Sequence, residues 1–377
     1  MRPMPVAVNI LTGFLGAGKT TLLNRLLRDP ALAHTAVIIN EFGDVSLDHL
    51  LVEKANDDVI ELADGCVCCT VRGELVDTLA DLLERVQTGR LARLDRIVIE
   101  TTGLADPVPV LQSIMGHPVF VQELRLDGVI TVVDAVHGLA TLDGHEEAVR
   151  QVAVADRLVI GKADLADDAT VRELKARLST LNPSAGIVGA DAPATALLDV
   201  GLWNPATKSA DVARWLGEAD DHSHDHHDHD HGDHEHHHGH HHAHHHHGPH
   251  DDRVSSFSLV HHGPLAWATI EMFLDLLRST QGERLLRLKG IVDVAEDPDR
   301  PLVIHGVRGM MHPPAWLERW PATRETRIVI IGYDLDADYV RRLFAGFVGQ
   351  AAVDTADKAA LTDNPLSVPG FKPSSAA

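Results

Sequence analysis

The sequence predicts an α/β protein, with a parallel sheet covered by helices on both faces and a smaller α+β C-terminal domain. Short apolar runs alternate with helical patterns over the first half of the chain, which indicates βαβ units. A glycine-rich loop follows the first apolar run. A histidine-rich stretch with almost no apolar residues separates this half from a second set of predicted strands. The chain is therefore expected to form two folded domains.

The predicted elements of the first half follow one another in βαβ order. The apolar run 5–11 stops before Gly13, as a buried parallel strand does, and a helix follows from Lys19 to about Arg28. Further strands are expected at 36–40, 96–100, 128–133 and 157–160. Further helices are expected at 74–86, where leucines recur at helical spacing, and at 169–181.

Hydrophobic periodicity resumes at Val254, after the histidine-rich stretch. Strands are expected there at 254–260, 285–294, 302–307 and 327–331, and helices at 265–277 and 337–347. The domains expected are 1–205, a His/Asp-rich disordered linker at 206–253, an α+β domain at 254–350 and a flexible tail at 351–377. The linker composition cannot bury enough apolar surface to offset the entropy of ordering.

Composition excludes two kinds of partner. The 377 residues carry a net charge of −22 with neutral histidines, which excludes nucleic acid because phosphate backbones require basic surfaces. No run approaches the roughly 18 apolar residues of a membrane span, and no signal peptide is evident. The chain's three cysteines, Cys66, Cys68 and Cys69, are too close together to form a disulfide framework. A cytoplasmic protein that binds neither nucleic acid nor membrane is expected.

The glycine-rich loop has the spacing of a phosphate-binding P-loop, Gly13-x4-Gly18-Lys19-Thr20. It lies between a predicted strand and a predicted helix, the context this motif requires, and so favours a P-loop NTPase-type parallel sheet over a chance glycine-rich turn. Lys19 would reach the β- and γ-phosphates, and the Thr20 hydroxyl would bind Mg²⁺. The residues expected to bind the nucleotide here are Gly13, Gly16, Ala17, Gly18, Lys19, Thr20 and Thr21.

Two carboxylates stand at the ends of predicted strands. Glu100 ends one strand, and Gly103 follows three residues later. Glu100 would hold Mg²⁺ through water or polarise the attacking water, and the Gly103 amide would contact the γ-phosphate. These two residues and Lys19 are the predicted catalytic set. Asp134 ends another strand and is either a second carboxylate of the site or a helix cap.

Base recognition is expected after the strand at 157–160. GTPases usually recognise guanine with Asn-Lys-x-Asp, in which the Asp accepts from the guanine amino and imino groups. Here the run is Gly161-Lys162-Ala163-Asp164. Lys162 and Asp164 predict GTP as the nucleotide, and Gly161 lacks the amide side chain.

The cysteine cluster predicts a metal site. Three thiolates within one turn of backbone can share one ion, and soft sulfur ligands suit Zn²⁺, Co²⁺ or Cu⁺ rather than Mg²⁺. A structural zinc site normally takes four ligands, so this set of three favours release or transfer. Glu41 is a further candidate ligand or a nucleotide sensor. A redox thiol pair and inert thiols in a tight turn are the alternatives.

The internal histidine tract is the chain's compositional outlier. Of 27 histidines, 18 lie from His222 to His250, interleaved with Asp and Gly. Neutral imidazole binds Zn²⁺, Co²⁺ and Ni²⁺, so we expect this segment to bind metal ions as a store. A passive solvated linker is the alternative.

Taken together, these motifs resemble the CobW family of metal-handling P-loop GTPases. The phosphate loop followed by Cys-x-Cys-Cys is the specific combination. The matching stretches are 13–21 (GFLGAGKTT), 40–43 (NEFG), 66–69 (CVCC), 100–107 (ETTGLADP), 131–135 (TVVDA), Lys162-x-Asp164, 287–290 (RLKG), 303–307 (VIHGV) and 312–314 (HPP). The sequence departs from the family pattern at Gly161, where Asn is usual, and at Asp44, where Glu is frequent.

The resemblance implies a GTPase that binds Zn²⁺ or Co²⁺ at Cys66, Cys68 and Cys69, assisted by Glu41, and delivers it to a client metalloprotein. Our hypothesis is that GTP and Mg²⁺ order the segments around Glu41 and Gly103. The cysteine loop then binds metal tightly, and hydrolysis releases the ion. The alternatives are a metal sensor or storage protein with incidental slow hydrolysis, and a small-molecule kinase.

Overall fold

The computed structural model describes residues 5–40, 60–62, 71–201, 203–204, 209–210, 216, 253–320 and 323–349. Glu41, the cysteine cluster and the tract from His222 to His250 lie outside the described residues, as does the tail after residue 349. The predictions made for those segments therefore stay predictions.

A seven-stranded sheet forms the first domain. Its strand order is β3-β2-β4-β1-β5-β6-β7, and its neighbouring strands are parallel. This confirms the predicted fold class. The strands are β1 (Val6–Thr12), β2 (Thr35–Asn40), β3 (Ile60–Leu62), β4 (Arg96–Thr101), β5 (Leu124–Asp134), β6 (Arg157–Gly161) and β7 (Gly186–Gly189).

Helices cover both faces of this sheet, because alternate residues of each buried strand point to opposite sides. In β4, Ile97 and Ile99 pack with α2 and α3 on one face, and Val98 packs with α1 and α8 on the other. The helices are α1 (Lys19–Leu26), α2 (Val71–Gln87), α3 (Val108–Gly116), α4 (Phe120–Glu123), α5 (Gly138–Gly144), α6 (Glu146–Ala153), α7 (Asp168–Leu181) and α8 (Ala194–Leu198).

The second domain is an antiparallel sheet with two helices packed on one face. The chain reaches it after the short strands β8 (Trp203–Asn204) and β9 (Ser209–Ala210). The order is β10-β15-β11-β12-β13, with β14 paired to β12. The strands are β10 (Val254–His261), β11 (Leu285–Val292), β12 (Leu302–Val307), β13 (Met310–Met311), β14 (Ala315–Trp316) and β15 (Thr326–Tyr333), and the helices are α9 (Trp267–Gln281) and α10 (Ala337–Phe347).

The structure corrects several predicted boundaries, including the start of β5 at Leu124 and the end of α9 at Gln281, and it adds short elements. Leu265 pairs with Val294 in an isolated parallel bridge, so α9 begins at Trp267 and β11 ends at Val292. Several elements of the first domain lie outside the predicted ranges. These are β3, β7, α5, α6 and α8.

A buried ion cluster joins the two domains. The Asp156 carboxylate, just before β6, accepts hydrogen bonds from Arg287 Nη2 at 2.8 and 2.9 Å. Lys289 Nζ lies 2.6 Å from Asp156 Oδ1, and the Val129 N–H donates to Oδ2 at 2.9 Å. The three charged side chains are at most 4% exposed. Burial alone would raise the pKa of Asp156, but the two cations and these hydrogen bonds lower it to about 2.

Apolar contacts surround this cluster. Leu286, Val307, Ile331 and Tyr333 of the second domain belong to the same core as β1, β4 and α3. The C-terminal sheet is therefore packed directly against the nucleotide-binding fold. In the part of the chain described above, no helix has the length and apolarity needed to cross a membrane.

We predict that Asp156→Asn destabilises the protein by about 3–5 kcal/mol, because it leaves two buried cations without a counter-charge. Urea unfolding monitored by tryptophan fluorescence measures this. The matched control is Asp338→Asn, which breaks an exposed pair with Arg341 and should change stability little. Equal effects of the two substitutions would contradict the prediction.

The same cluster predicts a pH dependence. Asp156 has a folded-state pKa below its unfolded value of about 3.9, so its stabilising contribution is present above about pH 4 and is lost as the pH falls towards 2. The stability difference between wild type and Asp156→Asn should therefore shrink on acidification. A difference that stays constant down to pH 2 would contradict the assignment.

Candidate functional site

The phosphate loop, residues 13–20, connects β1 to α1 at the carboxyl edge of the sheet. Three of its glycines have positive φ angles, 142° at Gly13, 72° at Gly16 and 99° at Gly18, which side-chain-bearing residues rarely adopt. A Cβ on Gly13 would also lie 2.3 Å from the Val132 carbonyl oxygen in β5. Backbone conformation therefore favours glycine at all three positions, and close packing requires it at Gly13 as well.

Lys19 is buried and turns back over the loop from which it emerges. Its Nζ donates to the Gly13 carbonyl at 2.9 Å and to the Phe14 carbonyl at 3.4 Å. Ala17 is buried in the loop, and Thr21 is exposed on the first turn of α1. The ammonium group is thereby held at the loop backbone, where the predicted phosphate would lie.

Thr20 and Glu100 come together beside this loop. Thr20 Oγ1 donates to Glu100 Oε1 at 2.9 Å, and Glu100 is 5% exposed. The contact arises because Glu100 of β4 is paired with Leu11 of β1. Glu100 therefore lies at the edge of the sheet where β1 leads into the phosphate loop and Thr20. A hydroxyl and a carboxylate are hard oxygen ligands that suit Mg²⁺. The donor set therefore fits the predicted magnesium site.

Gly103 lies directly against the phosphate loop. A Cβ there would be 2.6 Å from the Leu15 nitrogen and 2.7 Å from the Leu15 Cα. Helix α6 also restrains the 102–107 loop, because Gln151 Nε2 donates to the carbonyls of Gly103 at 3.2 Å and Ala105 at 3.0 Å. Sequence reasoning did not single out Gln151.

Asp134 and Lys162 form an ion pair at the ends of β5 and β6. Asp134 Oδ2 accepts from Lys162 Nζ at 2.7 Å, and Oδ1 accepts from the N–H groups of Val136 at 2.7 Å and His137 at 3.2 Å. Burial opposes ionisation, but these donors together hold the pKa of Asp134 below its usual value. Asp134 therefore acts as a cap of the turn before α5, and it also orients Lys162.

The base-recognition run bends sharply after β6. Lys162 has a left-handed conformation, with φ 55°, and Asp164 is exposed on a short 3₁₀ turn, Ala163–Leu165. Gly161 is buried, and a Cβ there would lie 2.9 Å from the Ala17 carbonyl oxygen. A side chain at the position where Asn is usual would thus press on the phosphate loop.

A cavity of about 120 Å³ opens beside these groups. The phosphate loop, the end of β5 and helices α5 and α6 line it, and Lys162 and Gln151 contribute polar groups. The described residues contain no group of three or more His, Cys, Asp or Glu side chains that could hold a metal ion. The predicted transition-metal ligands, Glu41, Cys66, Cys68 and Cys69, lie outside them.

Comparisons with known proteins agree with this geometry. The family described as CobW/HypB/UreG, nucleotide-binding domain, matches residues 7–189, and the cobalamin synthesis protein CobW C-terminal domain matches residues 254–348. The zinc chaperone YjiA of Escherichia coli (strain K12) is 33% identical over 345 residues, covering 91% of this chain and 98% of the relative.

One further relative and one solved structure extend over the same length. The zinc chaperone CobW of Sinorhizobium sp is 33% identical over 384 residues, covering 91% of this chain and 97% of the relative. The crystal structure of Zn(II)-bound YjiA GTPase from E. coli has a TM-score of 0.62 at 27% identity, covering 92% of this chain and 99% of that one. The chain therefore belongs to the CobW/HypB/UreG family of P-loop GTPases and carries that family's CobW C-terminal domain.

Proposed function

We propose that this protein is a GTP-hydrolysing metallochaperone that binds Zn²⁺, or Co²⁺, and delivers it to a client metalloprotein in a nucleotide-gated manner. The observation that carries the proposal is the hydrogen bond between Thr20 and Glu100 beside the phosphate loop. It places a hard-oxygen pair next to the loop lysine, as hydrolysis of a nucleoside triphosphate requires. Chains named as zinc chaperones over nearly the whole length of this protein support zinc as the cargo.

The reaction needs little covalent chemistry from the protein. Water attacks the γ-phosphorus of GTP, the bond to the bridging oxygen breaks, and GDP and inorganic phosphate leave. Mg²⁺, when bound by Thr20 and through water by Glu100, would supply charge neutralisation on the phosphates. Lys19 would contact the β- and γ-phosphates, and Glu100 would orient the attacking water. Lys162 and Asp164 would bind the guanine base.

The metal cargo is assigned to the cysteine cluster. Cys66, Cys68 and Cys69, with Glu41, would form an incomplete coordination shell that a client's ligands can complete during transfer. The tract from His222 to His250 would hold further ions for loading. The cytoplasm fits this assignment because the thiols remain reduced there.

The gate is assigned to the 102–107 loop. Gly103 packs against the phosphate-loop backbone at Leu15. A γ-phosphate bound to the phosphate loop would therefore contact or displace the 102–107 loop. Asp106, in the same loop, pairs with Arg308 of the C-terminal domain at 2.7 Å. A change of the bound nucleotide would therefore alter the contact of this loop with the C-terminal domain, on which a client would dock.

Glu100→Gln should lower kcat for GTP by about 10²-fold or more, because the neutral amide polarises the attacking water and supports Mg²⁺ less well. Phosphate release under steady-state conditions measures the loss. Glu173→Gln, an exposed change on α7, is the matched control and should leave turnover unchanged. Full activity of Glu100→Gln would remove Glu100 from the reaction.

Gly103→Ala should lower kcat by about tenfold or more while GDP binding changes less, since its methyl group would push the 102–107 loop away from Leu15. Gly346→Ala, in α10 with open space around it, is the control and should preserve turnover. Single-turnover hydrolysis and GDP titration separate the two effects. A Gly103→Ala protein with normal kcat would exclude loop contact as the gate.

Zinc affinity should be about tenfold or more higher with a non-hydrolysable GTP analogue bound than with GDP. Competition titrations against a zinc chelator measure this in the wild type and in Cys66→Ser/Cys68→Ser/Cys69→Ser, which should lose the high-affinity site. Deletion of residues 222–250 should reduce the number of ions bound per chain and keep that site. Equal affinity in both nucleotide states would favour a sensor or storage protein with incidental hydrolysis.

A further inference from the structure

Gln151 is a buried amide between the nucleotide site and the second domain. It lies in α6, is 1% exposed, and its Nε2 donates to the carbonyls of Gly103 and Ala105. Only the amide nitrogen can donate to two carbonyls, so this orientation of the side chain is determined by its partners. Within the described residues, its buried Oε1 has no hydrogen-bond partner.

The backbone of the same residue is fixed to the central sheet. Thr131 Oγ1, in β5, donates to the Gln151 carbonyl at 2.8 Å. Strand β5 is the neighbour of β1, which leads into the phosphate loop. The Gln151 side chain therefore projects from a fixed point towards the 102–107 loop, and its position relative to the phosphate loop is set by the sheet.

The 102–107 loop needs such a restraint. Its glycine is required because Gly103 packs against Leu15, yet glycine has the greatest backbone freedom of any residue. A hydrogen bond to the Gly103 carbonyl limits the ψ angle of that glycine, and the bond to Ala105 fixes the chain two residues later. Close packing requires a glycine at position 103, and the Gln151 amide restrains the backbone freedom that this glycine brings.

The helix that carries Gln151 also contacts the C-terminal sheet. The Arg150 guanidinium lies 4.8 Å from the centroid of the Tyr333 ring, and Glu146 forms an ion pair with Arg253. Tyr333 belongs to the second domain, and Arg253 directly precedes its first strand, β10. The position of Gln151 therefore depends on how α6 packs against that sheet.

We propose that Gln151 is a positioning residue for GTP hydrolysis, which holds the Gly103 backbone against the phosphate loop and links that loop to the C-terminal sheet through α6. The inference rests on the proposed GTPase activity of the same site. It assigns a role in the reaction to a residue that lies outside every motif of the sequence.

The first test is Gln151→Met, which keeps the side-chain length and removes both donors. kcat for GTP should fall about 10- to 100-fold, because the loop is no longer held in its reactive position. KM for GTP and the dissociation constant of GDP should change by less than about threefold, since phosphate-loop contacts remain. A normal kcat, or a loss confined to KM, would overturn the proposal.

The second test is Gln151→Glu, followed as a pH profile. Burial raises the pKa of such a carboxyl, and its protonated form can donate to one of the two carbonyls, whereas the ionised form can donate to none. Its kcat relative to wild type should therefore fall as the pH rises, while that of Gln151→Met stays flat. Asp134, His137 and Lys162 line the same cavity, and the ratio to wild type removes their contribution. Parallel profiles of the two variants would overturn the proposal.

Asn182→Ala is the matched control. Asn182 is also a buried amide that donates to carbonyls of the same region, those of Val152, Ala153 and Ala155, at the far end of α6. It should lower the melting temperature and leave kcat per folded molecule within about twofold. An equal loss of kcat in Asn182→Ala would assign the effect to general loosening of α6. Absence of GTP turnover in the wild type would instead refute the proposed function.

Discussion

The site depends on one packing constraint, which is that no side chain separates the phosphate loop from the segments around it. A Cβ would lie 2.3 Å from the Val132 oxygen at Gly13, 2.6 Å from the Leu15 nitrogen at Gly103 and 2.9 Å from the Ala17 oxygen at Gly161. Real Cβ atoms do not approach backbone this closely, since interiors are already packed to crystal density. Three glycines therefore bring the carboxyl ends of β4, β5 and β6 into direct contact with one loop.

The residues packed around the phosphate loop contact the second domain at two places. The 102–107 loop reaches the C-terminal domain through the Asp106–Arg308 pair, and α6 reaches it through Arg150 and Tyr333. The buried Asp156 cluster holds the C-terminal sheet in place between them. Packed interfaces have discrete arrangements rather than continuous ones, which is the physical basis on which the proposed nucleotide gate would act on the second domain.

The parts of this arrangement that the sequence predicted are local. The phosphate loop is a contiguous motif, and Glu100 could be assigned because parallel strands end at one sheet edge. Gln151 could not be found in this way, since 48 residues separate it from Gly103. The Asp156–Arg287 contact spans 131 residues. Such pairs leave no periodic signal in the sequence, and a buried glutamine in a helix outside the recognised motifs carries no mark of its partners.

Gly161 shows how structure changes the meaning of a departure from a family pattern. In the sequence, Gly161 lacks the amide side chain that is usual at this position, which weakens the prediction that guanine is the base recognised. In the structure the position touches the Ala17 carbonyl, so a longer residue would displace the loop that binds the phosphates. Orientation of Lys162 comes instead from its ion pair with Asp134, which two backbone N–H groups hold in place. That pair fixes Lys162 without an amide at position 161, and in this chain the glycine lets the base-recognition run pack against the phosphate loop.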